Sequence, residues 1–260
     1  MFLVFQGRIY EKDKLVAICS FLGGALFFFG NLVYFILEPS WAKLFENISK
    51  ITFNSNLLAF IVSGLYLYDP KHSVFKNNFL MCFTAILLWF AALGFWCILF
   101  PIFYIDLGNY LISQQTTRWH PFTLFFTVWN HAVNPLLFLI TFLYCTKKTS
   151  SEFLTPVSAK DLGIAIYLYL ISWVLWNILI SAVDRTFPTY GILTNFNPYS
   201  QHVEGKNLYS LKSLLGCNIA CVFLSCLLIT FFSRISYKFF IINHYRSTGI
   251  VKITKGTNFL

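Results

Sequence analysis

Apolar residues dominate the chain in six long runs, near positions 15–37, 49–68, 79–104, 121–146, 160–183 and 211–233, separated by shorter segments where charge returns. A helix crosses the hydrocarbon core of a bilayer with about 20 residues, and every run reaches that length. The expected fold is all-α: a polytopic membrane bundle of six transmembrane helices. The first run follows Arg8, Lys12 and Lys14 in the manner of a signal sequence, but it ends at FILEPSW with no small-residue cleavage site. It is therefore expected to be retained as a spanning helix. No hydrophilic segment has room for a separate soluble domain, so residues 1–260 are expected to form a single integral membrane domain.

Composition agrees, with 57% hydrophobic and 11% charged residues, against about a quarter charged in ordinary soluble domains. A net charge of +9 could point to nucleic acid, but the cations are sorted by side. Six spans place the N-terminus, the 69–78 loop, the 147–160 loop and the C-terminal tail on one face, with 13 of the 19 Lys and Arg residues. The positive-inside rule assigns that face, and both termini, to the cytoplasm. The basic tail then reads as a contact for lipid headgroups, and no nucleic-acid partner is expected. All seven cysteines lie within or at the edge of the runs, where a disulfide framework is not expected. Cys217 and Cys221 share the i, i+4 spacing of a metal pair, yet no carboxylate or histidine accompanies them on that helix. Packing of a helix seam with Gly216 and Ala220 is the expected role, and neither metal nor cofactor is anticipated.

Polar residues inside the runs are costly in hydrocarbon and need a reason. At 1.5 Å of rise per residue, Asn31, Asn56, His131, Asn177 and Asn218 fall about 10 Å below the outer interface on five of the six helices. The fourth run adds two more in VWNHAVNPLLFLI, where Asn130 and Asn134 flank His131. Each asparagine singly could be interhelical glue. Together, with Pro135 releasing the backbone carbonyl one turn earlier, they predict a polar pocket in the outer half of the bundle.

A histidine of near-neutral pKa can serve as a general base when a hydroxyl lies within reach. The second run begins KITFNSNLLAF, in which Thr52, Ser55 and Asn56 share one helix face. Thr52 is the expected nucleophile with His131 as its base, the alternative being a threonine bonded back onto its own helix. Asn56, Asn130 or Asn134 would donate to the oxyanion, and Asn177 and Asn218 would help line the substrate site. No acidic residue within a span can orient the histidine. Asp184, beside Arg185 at the outer end of the fifth run, is the nearest option.

These features resemble the androgen-induced-gene-type membrane hydrolases. The similarity rests on K-x-T-F opening the second helix, N-H before a proline-containing apolar run in the fourth, and an aromatic-proline-aromatic loop before the last. The resemblance implies six spans, cytoplasmic termini, and cleavage of fatty acid esters of hydroxy fatty acids by a threonine and a histidine. It maps those two residues to Thr52 in KITF and His131 in WNHAVNP. The chain departs from the family in RTFPTYGILTNFNPYSQHVEGKN, a longer loop, and in following N-H with AVNP. Usage rich in Phe, Asn and Lys hints at an AT-rich bacterial genome, hence a bacterial cell membrane.

The leading expectation is an intramembrane lipid-ester hydrolase or acyl-transfer enzyme acting on a membrane lipid or fatty-acyl ester. Two other classes remain open at this point. One is a transporter or solute-binding protein with an asparagine-lined pocket, although no internal repeat is evident. The other is a structural subunit that uses Asn and His for assembly. The 41–50 and 105–120 segments are amphipathic enough to lie at the outer interface, as lids or partner contacts.

Overall fold

In a computed structural model the chain is described at residues 4–5, 8–9, 12–37, 39, 44, 48–75, 78–99, 125–149, 156–183 and 211–248. Its helices are α1 (Lys12–Leu37), α2 (Ile51–Tyr68), α3 (Phe79–Gly94), α4 (Asn134–Thr149), α5 (Ala159–Val183) and α6 (Leu211–Thr248). A π-turn at Phe95–Leu99 continues α3, and another at Trp129–Val133 leads into α4. Six helices, counting Phe125–Thr146 as one, are long and apolar enough to cross a membrane. A two-residue hairpin at the start, Val4–Phe5 against Arg8–Ile9, is the one departure from all-helical structure among the described residues.

α3 is the axis of the bundle. Its sequence FLMCFTAILLWFAALG is apolar on every side, and such a helix is stable only when surrounded. Met81, Cys82, Ala85, Ile86, Leu87 and Leu88 are buried accordingly. α2, α4, α5 and α6 pack around it, while α1 lies against α2 and α4. The outer faces remain apolar: Leu22 and Phe29 on α1, Leu168 and Leu175 on α5, and Ile219 and Phe223 on α6 are all exposed. In water such a surface would drive aggregation, whereas against lipid tails it is neutral.

In a bilayer, where lipid gives no hydrophobic drive for helices to associate, close packing has to do so, and α1 meets its neighbours through glycines. A Cβ built on Gly24 would lie 2.6 Å from Phe60 Cβ and 2.9 Å from its Cα, and one on Gly30 would meet the Phe126 ring. At Gly24 the α2 backbone thus approaches to a distance that no side chain permits. A buried Ser63 to Ser20 hydrogen bond of 2.9 Å ties α2 to α1 across the same seam.

Two expectations need correction. α6 runs on to Thr248, where the hydropathy pattern ended the last helix near 233. Arg234, Tyr237 and Lys238 are exposed on this extension, so polar positions face outward without breaking the helix. Gly216, expected to pack a seam with Cys217 and Cys221, is exposed with no atom within 4 Å of its would-be Cβ. Cys217 is buried and Cys221 half-buried, and all seven cysteines are free. Among the described residues no three His, Cys, Asp or Glu side chains group as metal ligands. The 105–120 segment, the 185–207 loop and Asp184 lie outside the described residues, as does most of 41–50.

Candidate active site

Thr52 occupies the first turn of α2, two residues after Lys50, whose extended backbone (φ −79, ψ 134) precedes the helix. That turn is held from outside by α5. The Trp173 indole donates to the Ser49 carbonyl (2.7 Å) and the Trp176 indole to the Ser49 hydroxyl (3.1 Å). The helix start therefore has a fixed position, and Thr52, only 6% exposed, points into the bundle from it.

The other half of the site comes from the turn before α4. Two features of NHAVNP loosen the regular hydrogen-bond ladder there. The Asn134 N–H reaches back five residues to the Trp129 carbonyl, the signature of a π-turn, and Pro135 has no N–H to offer the His131 carbonyl. The released carbonyl is taken instead by the Trp96 indole (2.9 Å), from the π-turn that ends α3. Phe95, next to it, stacks on the His131 ring with centroids 4.0 Å apart and planes 23° from parallel. The imidazole is thus fixed through its face and through its own backbone.

Thr52 Oγ1 and His131 Nε2 lie 3.1 Å apart, and His131 Nδ1 lies 2.9 Å from the Thr127 carbonyl. A carbonyl only accepts, so Nδ1 must carry the ring proton. In the neutral imidazole Nε2 is then the acceptor, and the Thr52 hydroxyl donates to it. A main-chain oxygen thereby takes the orienting role for which the sequence offers no carboxylate.

A second strand of hydrogen bonds braces this pair. Asn134 Nδ2 donates to Asn56 Oδ1 (2.5 Å), Asn56 Nδ2 donates to the Thr52 carbonyl (2.8 Å), and the Ser55 hydroxyl donates to the same carbonyl (3.2 Å). α1 closes the back: the Trp129 indole donates to the Gly23 carbonyl (3.1 Å). A Cβ on Gly23 would stand 2.8 Å from Asn134 Oδ1. Glycine is what lets α1 come this close.

Of the residues expected in one polar layer, the structure joins Thr52, Asn56, His131 and Asn134 directly. Asn130 is buried beside His131, and its Oδ1 has no partner among the described residues. Asn31 and Asn177 instead bond the carbonyls one turn back on their own helices, Phe27 (2.9 Å) and Trp173 (2.8 Å). Asn218 is half-buried on α6. Phe95, Trp96 and the Thr127 carbonyl were not anticipated. Pro135 was the available signal for Trp96, since it marks the His131 carbonyl as an acceptor in search of a donor.

Comparison with known proteins adds no relative: no family model, curated protein or solved structure matches the chain significantly.

Proposed function

We propose that the protein is an intramembrane lipid-ester hydrolase or acyl-transfer enzyme, with Thr52 as nucleophile and His131 as general base. The observation that carries this reading is the 3.1 Å contact between a buried threonine hydroxyl and an imidazole nitrogen whose tautomer makes it an acceptor. A scaffold could use the same contact as an interhelical hydrogen bond, but acyl transfer requires it, because the hydroxyl must lose its proton as it attacks.

The chemistry follows from the named atoms. Thr52 Oγ1 bonds to the acyl carbonyl carbon while its proton passes to His131 Nε2. The imidazolium formed is stabilised by the Nδ1–H donated to Thr127. Collapse of the tetrahedral intermediate breaks the ester bond, and His131 returns the proton to the departing alkoxide. Water, or a second alcohol in transfer, then attacks the acyl-threonine carbonyl and gives its proton to His131; collapse breaks the bond to Thr52 Oγ1, which takes that proton back from Nε2 as the acid or new ester leaves.

Donors to the oxyanion come from two sources. The first intrahelical bond of α2 is Asn54 N to the Lys50 carbonyl (3.2 Å), so the N–H groups of Ile51 and Phe53 fall in the turn that has no acceptor of its own. Asn56 and Asn134 each spend one amide N–H in the bracing network and retain a second. The acyl chain would lie among the phenylalanine and leucine side chains of the bundle, having partitioned into the bilayer first. This mechanism is also what the similarity to the androgen-induced-gene-type hydrolases implies.

Purified protein in mixed micelles should release fatty acid from a fatty-acyl ester, or pass the acyl group to an added alcohol. No turnover of any long-chain ester, with the helices intact by circular dichroism, would leave the hydroxyl–imidazole pair as a structural contact. The proposed placement is a bacterial cell membrane with both termini cytoplasmic. Single cysteines introduced at the N-terminus and in the 184–210 loop, in a variant lacking the native cysteines, should react with impermeant reagents from opposite sides only. Reaction of both from one side would contradict six spans.

A further inference from the structure

α5 supplies no atom to the Thr52–His131 pair, yet it grips the chain three residues before the nucleophile. Trp173 and Trp176 stand about one turn apart on α5 and share a face of it. The Trp173 indole donates to the Ser49 carbonyl at 2.7 Å, and the Trp176 indole to the Ser49 hydroxyl at 3.1 Å. One residue is thereby held both by its backbone and by its side chain. Ser49 is 1% exposed and Trp173 6%, so the shorter bond lies inside the protein.

The start of α2 needs such a hold. Its ladder begins with Asn54 N–H to the Lys50 carbonyl, which leaves the Ser49 carbonyl outside the helix and open to an external donor. Helix ends fray, and the first turn is ordinarily steadied by a Ser, Thr, Asp or Asn cap that accepts from it. Lys50 stands in that position, and a lysine side chain holds only donors. One turn beyond Thr52, α2 is pinned from α4, where Asn134 donates to Asn56 at 2.5 Å. Thr52 lies between these two fixed points. With the second alone, the first turn could still unwind or tilt. The Thr52 hydroxyl has little room for that, because its 3.1 Å contact with His131 Nε2 is already near the long end of a hydrogen bond. A misplacement of about 1 Å can cost about 10²-fold in rate.

Resting on the reading of Thr52 and His131 as the catalytic pair, we propose that Trp173 and Trp176 are positioning residues for acyl transfer: by gripping Ser49 they fix the first turn of α2 and keep the Thr52 hydroxyl within reach of His131. In this role neither indole touches the substrate. Their effect falls on the chemical step and not on substrate binding.

Trp173→Phe and Trp176→Phe keep a ring at each place and delete its N–H. In mixed micelles each should lower kcat for a fatty-acyl ester by about 10- to 100-fold, with KM changed by less than about twofold. Ser49→Ala removes the hydroxyl that Trp176 holds, so it should match Trp176→Phe, and the two combined should be no worse than either alone. Trp89→Phe is the control: its buried indole N–H has no partner among the described residues, and kcat should not change. Turnover by the unaltered protein, with kcat the same in Trp173→Phe, Trp176→Phe and Ser49→Ala, refutes the positioning role alone, even if Tm falls. A raised KM at constant kcat also refutes it, because the indoles would then be holding substrate. An unaltered protein that turns over no ester removes the catalytic pair and the positioning role with it. Should Trp173→Phe fail to fold, Trp176→Phe and Ser49→Ala decide by the same readout.

Discussion

Thr52→Ala and His131→Ala are each expected to lower turnover of a fatty-acyl ester by about 10²–10⁴-fold, the range in which a positioned base contributes. The double variant should be scarcely worse than either single one. A hydroxyl without its base is a weak nucleophile, and a base without its hydroxyl has nothing to deprotonate, so the two losses do not add. Losses that multiply would mean the residues act separately. Thr52→Ser should retain measurable activity, since it keeps the oxygen 3.1 Å from Nε2 and loses only a methyl group. Ser55→Ala should be nearly silent. Its hydroxyl serves the Thr52 carbonyl, which also accepts from Asn56.

The largest loss of stability is expected from Gly24→Ala. The added Cβ would fall 2.6 Å from Phe60 Cβ and 2.9 Å from Phe60 Cα, and neither atom can rotate away because both are fixed by the α2 backbone. α1 and α2 must separate to admit the methyl group, at a cost of about 1–3 kcal/mol. Gly64→Ala is the control: its Cβ would meet the Phe21 ring edge at 3.1 Å, and the ring can shift by a few tenths of an ångström. Gly163→Ala, with nothing within 4 Å, should be neutral or slightly stabilising because alanine favours the helix. The order Gly24 well below Gly64, with Gly163 unchanged, can be read from thermal unfolding in one detergent. Activity should fall with stability in Gly24→Ala alone, because α1 also supplies the Gly23 carbonyl that holds Trp129.

The positions of these helices follow from the apolar runs, because hydrocarbon leaves a backbone little choice but to satisfy itself within a helix. Thr52 and His131 were also legible, as polar side chains whose presence inside such runs calls for a partner. Three things were not. The Thr127 carbonyl orients His131, and a backbone oxygen has no residue type to betray it. The π-turns at 95–99 and 129–133 depend on one extra residue per turn, which apolar periodicity does not register. Depth alone grouped Asn31 and Asn177 with the site, yet both bond the carbonyl one turn back. Residues at one depth can face different helices, and the facing direction is set by packing such as Gly24 against Phe60. The end of α6 was misplaced for a related reason, since hydropathy reports where lipid stops and not where a helix does.

The most direct test of the Thr52–His131 pair is the site of covalent capture. A fluorophosphonate bearing a long alkyl chain should modify the purified protein, and peptide mapping should place the phosphonate on Thr52 Oγ1. The adduct should vanish in Thr52→Ala and form far more slowly in His131→Ala, because the hydroxyl then lacks the base that activates it. A phosphonate found on another residue, or a Thr52 adduct formed at the same rate without His131, would contradict the catalytic pair.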